Sequence, residues 1–253
     1  MGDSISVVVA GARGKMGSEV VAMVTRESDL RLVGEVDAGD SLESALVSAL
    51  PDAYVDFTLP GAVFANIEVA LRNRVVPIVG TTGLGAAQLD QIRSWCKEFE
   101  TGALIAPNFA IGAILLMRFS EIAAKYMPDV EIIEMHQERK LDSPSGTALK
   151  TAEMVARGRG SVARTPMPTN TVETVVGARG GSGAGDVPVH SIRLPGFVAS
   201  EMVIFGGVGQ TLTIRHDSID RKSFMPGVVL ALRAVPQLKA NGGELVYGLE
   251  NLI

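Results

Sequence analysis

The chain has 253 residues, a length that allows one large domain or two of modest size. With 47% hydrophobic and 20% charged residues, it has enough apolar material for a packed core, which excludes a mainly disordered protein. The formal net charge of −5 provides no overall basic field to hold a phosphate backbone, so nucleic-acid binding is not expected.

The sequence also predicts where the protein resides. Its one cysteine, Cys96, cannot form an intramolecular disulfide, which fits a reducing compartment. The longest segment without a charged residue, 101–117, is interrupted by Pro107 and is too short to span a bilayer. Residues 1–10 lack the basic start and the apolar stretch of a secretory signal. We therefore expect a cytoplasmic protein with no membrane segment.

In the first 107 residues, short β-branched runs alternate with segments of helical period. The predicted strands are 5–10, 30–36, 53–57, 75–79 and 103–106. The predicted helices are 16–24, 63–71 and 86–99. Strands that alternate with helices are typical of a parallel, doubly wound α/β sheet.

After residue 108 the pattern changes. Helices are predicted over 110–126, 145–156 and 223–234, and strands over 130–135, 190–194, 202–205 and 211–215. The segment 157–187 is rich in Gly, Pro, Ser and Thr, which predicts a long, mobile loop. Several strands with little helix between them indicate a mixed or antiparallel sheet, and so a second domain of α+β type. The tail 244–253 could complete either domain.

A glycine-rich segment, 11–17, stands where the first predicted strand turns into a helix. Glycines at such a turn let the backbone approach a pyrophosphate, and the amides of the new helix attract negative charge. The spacing is GxxGxxG, which is less specific than GxGxxG, so an ordinary turn is the alternative. Asp37, at the end of the second predicted strand, can accept hydrogen bonds from ribose hydroxyls and favours a dinucleotide.

These residues do not decide between NADH and NADPH as the cofactor. The acidic side chain of Asp37 favours NADH, whereas Arg13 or Lys15 could pair with the 2′-phosphate of NADPH. Both cofactors therefore stay open.

Two further loops, 80–83 and 106–109, follow the fourth and fifth predicted strands. Ligands of open α/β sheets bind beyond the carboxyl ends of the strands, so both loops are expected at the same crevice. Taken alone, each could be an ordinary turn.

The segment 134–147 carries the second strong signal. Ser143 is a good N-cap and Pro144 a good first helical residue, so a helix is predicted to begin here. The amides left without partners would be those of Ser145, Gly146 and Thr147. With the positive charge of Lys140 nearby, they predict a pocket for a carboxylate or phosphate. The alternative is a capped helix beside a solvated run of charges.

His136 lies beside this predicted pocket, at the end of an apolar strand. An imidazole, with an unperturbed pKa of about 6.5, can give or take a proton near neutral pH. A single histidine is more often structural, and His190 and His216 have no comparable surroundings. No two histidines have metal-ligand spacing, so no metal is assigned.

Taken together, these motifs resemble the 4-hydroxy-tetrahydrodipicolinate reductase family, also called dihydrodipicolinate reductases, over essentially the whole chain. The segments that carry the resemblance are 9–17 (VAGARGKMG), 55–58 (VDFT), 79–83 (VGTTG), 106–113 (APNFAIGA), 134–148 (EMHQERKLDSPSGTA), 190–196 (HSIRLPG) and 215–224 (RHDSIDRKSF).

The resemblance implies a Rossmann-like, doubly wound parallel domain over 1–107 and 218–253. It implies a second α+β domain over 108–217 that binds substrate and forms a homotetramer. It further implies NADH or NADPH as cofactor and a small dicarboxylate as substrate. Members of the family reduce the cyclic product of dihydrodipicolinate synthase to tetrahydrodipicolinate, for diaminopimelate and lysine synthesis.

By matching positions, the resemblance also assigns roles to residues. His136 is the expected proton donor, and Lys140 a second donor and substrate contact. The expected substrate-binding residues are Gln137, Lys140, Ser145, Gly146 and Thr147. The expected cofactor-binding residues are Gly11, Ala12, Arg13, Gly14, Lys15, Met16, Asp37, Gly80, Thr81, Thr82, Ala106, Pro107, Asn108 and Phe109.

One position departs from the family pattern. The family commonly has two adjacent histidines, and here the second is Gln137, which can donate a hydrogen bond but cannot carry a charge. We therefore expect His136 to keep its role, with substrate affinity or substrate identity altered.

Two other functions stay open. The first is another two-domain nicotinamide dehydrogenase acting on an amino-acid precursor, such as an aspartate or homoserine dehydrogenase. The second is a non-catalytic dinucleotide sensor, which would need no second anion pocket.

Overall fold

The computed structural model describes residues 4–166, 168 and 170–252. Residues 1–3, 167, 169 and 253, which belong to the signal, loop and tail predictions, lie outside the described part. The chain divides into two compact units. The first contains the residues up to Ala110 and those from Phe224 onward, and the second contains Ile111–Ser223.

Strands and helices are numbered along the chain. The strands are β1 (Ile5–Ala10), β2 (Leu30–Val36), β3 (Ala53–Asp56), β4 (Val76–Val79), β5 (Ala103–Ile105), β6 (Asp129–His136), β7 (Gly181–Ser182), β8 (Pro188–Arg193), β9 (Ala199–Gly207), β10 (Gln210–Ser218) and β11 (Leu245–Tyr247). The α-helices are α1 (Gly17–Arg26), α2 (Leu42–Ala49), α3 (Pro60–Arg72), α4 (Ala86–Glu98), α5 (Ile111–Ala124), α6 (Gly146–Arg159), α7 (Met225–Arg233) and α8 (Val235–Ala240).

The first unit is built on a parallel sheet. Within the described residues its strand order is β11-β5-β4-β3-β1-β2, and every neighbouring pair is parallel. The centre of the sheet is apolar on both faces, as the complete burial of Val7, Val8 and Val9 shows. Helices α2, α3 and α4 pack in succession, and α1 packs on α7. The predicted doubly wound α/β class is therefore confirmed.

The strand order places a topological switch point between β1 and β3. The chain leaves β1 toward β2 on one side, and β3 lies on the other side of β1. In open parallel sheets, ligands bind beyond the carboxyl ends of the strands at such a point. The glycine-rich turn that follows β1 therefore begins at this position.

The second unit has a mixed sheet. In the described part its strand order is β10-β9-β6-β8-β7, with β6 and β8 parallel and the other neighbours antiparallel. Helices α5 and α6 pack on each other, and both contact strands of the sheet. The predicted α+β character of this region is confirmed.

Three expectations differ from the structure. Helices α2 and α8 were not predicted. Each is short and buries only two apolar residues, which gives almost no periodic signal. Helix α6 continues through Arg159, into the segment predicted as a loop. That segment also contains β7 and a 3-10 turn at Ala184–Asp186.

The tail, left open above, adds β11 to the first sheet beside β5. Among the described residues, no helix combines the length and apolarity needed to cross a bilayer.

The glycine-rich turn closes tightly on itself. A Cβ added to Gly17 would lie 1.9 Å from the carbonyl oxygen of Gly11. Gly11 itself has a φ of +73°, and a Cβ there would lie 2.3 Å from the carbonyl oxygen of Phe57. Both contacts are with backbone atoms, so glycine is the residue that fits.

This packing predicts that Gly17→Ala destabilises the first unit. We expect the free energy of unfolding to fall by about 1–3 kcal/mol, the range for overpacking. Urea unfolding followed by the fluorescence of Trp95, in helix α4 of the same unit, would measure it. Gly61→Ala in helix α3 is the control, because a Cβ there has nothing within 4 Å. Equal losses in the two variants would contradict the prediction.

Candidate active site

The start of α1 presents backbone amides that the protein itself does not use. The amides of Lys15, Met16 and Gly17 have no hydrogen-bond acceptor among the described residues. The amide of Arg13, by contrast, donates to Oδ2 of Asp37 at 2.7 Å. Open amides at a helix start, together with the helix dipole, favour an anion.

Asp37 lies directly beside this turn, as the spacing predicted. Its carboxylate accepts from the amides of Ala38 (2.8 Å) and Arg13 (2.7 Å), and these two bonds lower its pKa. The Arg13 guanidinium is largely exposed and pairs with Asp40 at 3.3 Å. The turn therefore carries both an ionised acid and an accessible base.

The loop after β4 is bonded to a buried carboxylate, that of Asp56 at the end of β3. It accepts hydrogen bonds from the hydroxyls of Thr81 (2.6 Å) and Thr58 (2.7 Å), from the Asn66 amide (3.1 Å) and from the Tyr54 hydroxyl. Burial and the Asp56 charge raise the pKa of Tyr54 well above its usual value. The Thr81 side chain thus points inward. This role of Asp56 was not predicted, although an acid at the end of an apolar strand is its signal.

The predicted loop after β5 is partly internal as well. Phe109 is buried, and its ring lies 5.9 Å from that of Phe57 between centroids. Pro107 is exposed and lines a small cavity together with Thr82 and Tyr247. Tyr247, from β11, was not predicted, because the short tail gave no pattern that placed it at this end of the sheet.

In the second unit, His136 ends strand β6 and contacts a fully buried carboxylate, that of Glu134. Nδ1 of His136 lies 2.5 Å from Oε2 of Glu134. The imidazole is largely buried, with 16% of its side chain exposed, and Nε2 has no hydrogen-bond partner in the described part of the chain. A carboxylate only accepts, so Nδ1 is the donor, and Nε2 is the nitrogen left to exchange a proton.

Glu134 is bonded on both of its oxygens. The Arg193 guanidinium donates to Oε1 at 2.7 Å and to Oε2 at 2.9 Å, and the amide of Ser145 donates to Oε1 at 3.2 Å. Burial alone would raise the pKa of this carboxyl, but the bonds from His136 and Arg193 outweigh it and lower the pKa to about 2. Glu134 is therefore charged at neutral pH. Neither Glu134 nor Arg193 was predicted as a site residue.

The helix start at α6 differs from the prediction. Its N-cap is Ser145, not Ser143, and the Ser145 hydroxyl accepts from the amide of Ala148 at 3.2 Å. The Ser145 amide was expected to be free, and it is instead bonded to Glu134. This bond spans 11 positions of the chain and takes up the amide that the prediction left free. The Gly146 amide has no acceptor among the described residues, and a Cβ there would meet open space.

Lys140 and Gln137 lie on the turn between β6 and α6. The Lys140 amide donates to the carbonyl of Gln137 at 3.1 Å, and its ammonium pairs with Asp142 at 2.8 Å. Arg193 donates to the carbonyl of Asp142 at 2.8 Å. The structure thus brings His136, Lys140 and the α6 start around Glu134 and Arg193. The pairing of Lys140 with Asp142 was not foreseen.

A second buried carboxyl, Glu201, lies opposite Glu134 in the register of β9 on β6. Burial raises the pKa of Glu201 to about 7, with the Thr151 hydroxyl lowering it and the Glu134 charge raising it. Its Oε1 has no partner among the residues described. On β10, His216 lies opposite Glu201, and burial lowers the pKa of this imidazole.

The remaining histidine, His190, bonds Glu131 at 2.9 Å through Nε2. In the described part, no three side chains of His, Cys, Asp or Glu are grouped so that they could hold a metal ion.

Comparisons with known proteins agree over the whole chain. Two family models match, "Dihydrodipicolinate reductase, N-terminus" at residues 5–109 and "Dihydrodipicolinate reductase, C-terminus" at residues 112–253. A 4-hydroxy-tetrahydrodipicolinate reductase of Moorella thermoacetica is 45% identical, with 99% of this chain and 98% of that protein covered. One of Enterococcus faecalis is also 45% identical, covering 98% and 100%.

Solved structures show the same relation. A dipicolinate-bound dihydrodipicolinate reductase from Paenisporosarcina sp. TG-14 has a TM-score of 0.86 and 43% identity, covering 99% of this chain and all of that one. A probable dehydrogenase from Thermotoga maritima, with 11% identity and a TM-score of 0.61, shares the fold alone.

Fold, site and relatives together define a nicotinamide-dependent oxidoreductase with a dinucleotide-binding sheet and a separate α+β unit. Within that class, the chain belongs to the dihydrodipicolinate reductase family.

The raised pKa of Glu201 predicts a pH-dependent stability. Between an unfolded pKa near 4.5 and the folded value of about 7, the folded state binds the extra proton, so stability falls as pH rises through this window. The loss is on the order of 3 kcal/mol. Glu201→Gln should flatten this decline in urea titrations repeated across that pH range.

The control for this experiment is Glu98→Gln, on the exposed face of α4. It should keep the wild-type slope. A Glu201→Gln protein with an unchanged slope would show that Glu201 ionises normally.

Proposed function

We propose that the protein reduces 4-hydroxy-tetrahydrodipicolinate to tetrahydrodipicolinate with a nicotinamide dinucleotide, in diaminopimelate and lysine biosynthesis. Family membership over the whole chain supports this, as does the dipicolinate bound by the Paenisporosarcina relative. The observation that carries the residue roles is the buried Glu134–His136 contact, which leaves Nε2 open beside the start of α6.

The residues of the first unit fit a dinucleotide. The open amides of Lys15, Met16 and Gly17 suit a pyrophosphate, and the absence of a Cβ at Gly17 keeps the turn compact. We assign the cofactor to the predicted set: 11–16, Asp37, 80–82 and 106–109. Within it, Thr81 and Phe109 act through backbone position, because their side chains are buried. When bound, the nicotinamide supplies a hydride.

Both forms of the cofactor are expected to serve. The Asp37 carboxylate suits the ribose hydroxyls of NADH. The exposed Arg13 guanidinium can leave Asp40 for the 2′-phosphate of NADPH, because a salt bridge between exposed groups is worth little.

The second unit supplies partners for a dicarboxylate. The open amide of Gly146 and the helix dipole of α6 suit one carboxylate, with Ser145 and Thr147 in the same turn. The Lys140 ammonium would leave the Asp142 carboxylate and pair with the second carboxylate of the substrate. Gln137 is exposed and can add a neutral hydrogen bond.

His136 is the proton donor in this scheme. The hydroxyl group of the substrate leaves as water, which makes the ring a conjugated imine. One ring carbon of that imine receives the hydride, and Nε2 of His136 delivers a proton to the adjacent carbon. The Glu134 carboxylate is ionised at neutral pH and accepts from Nδ1, so it holds the imidazole with Nε2 open for the transfer.

Assembly as a homotetramer and residence in the cytoplasm stay predictions. The assembly is supported by the second sheet, whose face turned away from Glu134 and Val203 carries apolar side chains that are only partly buried. They include Ile133, Ile192, Met202 and Ile204. Sedimentation of the purified protein would give the mass of four chains.

The cofactor assignment predicts a selective effect of Arg13→Ala. We expect kcat/KM to fall about tenfold with NADPH and less than about twofold with NADH, because one charged contact to a phosphate is lost. The bond from the Arg13 amide to Asp37 is a backbone bond and would be kept. Arg26→Ala, in the last turn of α1, is the control. Equal effects on both cofactors would place Arg13 away from the 2′-phosphate.

The catalytic assignment predicts different losses at His136 and Lys140. His136→Gln should lower kcat by about 10²- to 10⁴-fold, the contribution of general acid catalysis. Lys140→Ala should raise the substrate KM by roughly 10- to 100-fold through the lost charged contact. Both should leave the affinity for NADH unchanged. Steady-state assays with synthase-generated substrate would measure these effects, and an unchanged kcat in His136→Gln would exclude its role.

A further inference from the structure

We propose that Glu134 is a positioning residue for His136, and that it sets the imidazole and the first turn of α6 relative to each other. This extends the proposed function, because His136 is the proton donor there. The carboxylate touches neither substrate nor cofactor in the scheme, and it acts through the groups that it holds.

The strand geometry places both side chains on the same face of the sheet. Glu134 and His136 are two residues apart on β6, and side chains in a strand alternate between faces. Their partners in register on β8, Ser191 and Arg193, lie on that face too. The Arg193 guanidinium therefore reaches Glu134 from the neighbouring strand.

Each oxygen of Glu134 has a distinct connection. Oε2 holds Nδ1 of His136 at 2.5 Å, whereas Oε1 holds the Ser145 amide at 3.2 Å. Arg193 bridges both oxygens, which fixes the plane of the carboxylate. Movement of the carboxylate would shift the imidazole and the N-cap of α6 together.

Arg193 extends the same connection to the turn that carries Lys140. The guanidinium that holds Glu134 also donates to the carbonyl of Asp142, whose side chain pairs with Lys140. The positions of the His136 imidazole, the Lys140 ammonium and the open amide of Gly146 thus all depend on one buried ion pair, Glu134–Arg193.

The competing view is that this ion pair only stabilises the fold. Glu201 separates the two views, because it is the same residue type, is buried and lies directly opposite Glu134 in register. Among the described residues it makes no hydrogen bond to His136. A general effect of removing a buried carboxyl should therefore appear in Glu201→Gln as well.

The experiment compares Glu134→Gln, Glu134→Asp and Glu201→Gln in the full-length protein. We expect Glu134→Gln to lower kcat about 10- to 100-fold, part of the general-acid contribution, with the substrate KM within about threefold. Glu134→Asp keeps the charge for Arg193 but shortens the reach to His136, so it should recover part of the loss. Glu201→Gln should keep kcat within about twofold.

A spectroscopic arm tests the positioning without turnover. The chain has three histidines, so the Nδ1 proton of His136, bonded to a carboxylate, can be observed in ¹⁵N-histidine-labelled protein and assigned with His136→Gln. We expect this signal to disappear in Glu134→Gln, to shift in Glu134→Asp and to persist in Glu201→Gln.

The proposal is overturned if Glu134→Gln keeps either the wild-type kcat or the Nδ1 signal, or if Glu201→Gln loses as much activity as Glu134→Gln. Should Glu134→Gln fail to fold because Arg193 is left unpaired, Glu134→Asp decides, and a wild-type kcat and unshifted signal there reject the proposal. A wild-type protein that does not reduce the substrate would instead reject the proposed function, and the spectroscopic arm would then decide the positioning alone.

Discussion

The second unit depends on a negative charge that is kept out of water. An isolated carboxylate in the position of Glu134 would be strongly disfavoured, because burial penalises the charged form. The bonds from His136 and Arg193 outweigh that penalty, so the charge persists, and the Ser145 amide adds a further donor. The groups that satisfy this carboxylate are therefore fixed by it, and they include the residues expected to act on substrate.

The first unit uses a buried carboxylate at a similar place, the end of a strand. Asp56 ends β3 and gathers hydroxyl and amide donors from Thr58, Asn66 and Thr81, which belong to different loops and a helix. Among the described residues, the donors to Asp56 are hydroxyl and amide groups, so neutral donors satisfy this carboxylate. The two units thus reach the same end by different chemistry. In the first unit the carboxylate holds loops of the predicted nucleotide site, and in the second unit the carboxylate holds an imidazole beside a helix start.

Much of the architecture could be predicted from local pattern. The run 5–10 is rich in β-branched residues, which predicts a buried strand. The glycine at position 17 is likewise explained by the turn, because its backbone packs directly against Gly11. His136 could be singled out because it ends an apolar strand beside a helix start. Glu134 could not, because its partner Arg193 is 59 residues away along the chain. The N-cap at Ser145 was missed for a related reason, since the bond from its amide to Glu134 joins residues 11 positions apart across a turn, and no helical or strand period reveals it.

The pairing of β11 with β5 has a consequence for how the chain acquires its structure on the ribosome. Leu245–Tyr247 pairs with Ala103–Ile105, so that edge stays unpaired until the residues beyond Ser223 have emerged. The intervening unit, Ile111–Ser223, has all of its strands available earlier. An exposed strand edge invites pairing with other chains. The nascent protein therefore passes through a stage in which the strands of the second unit can all pair while the sheet of the first unit still awaits β11.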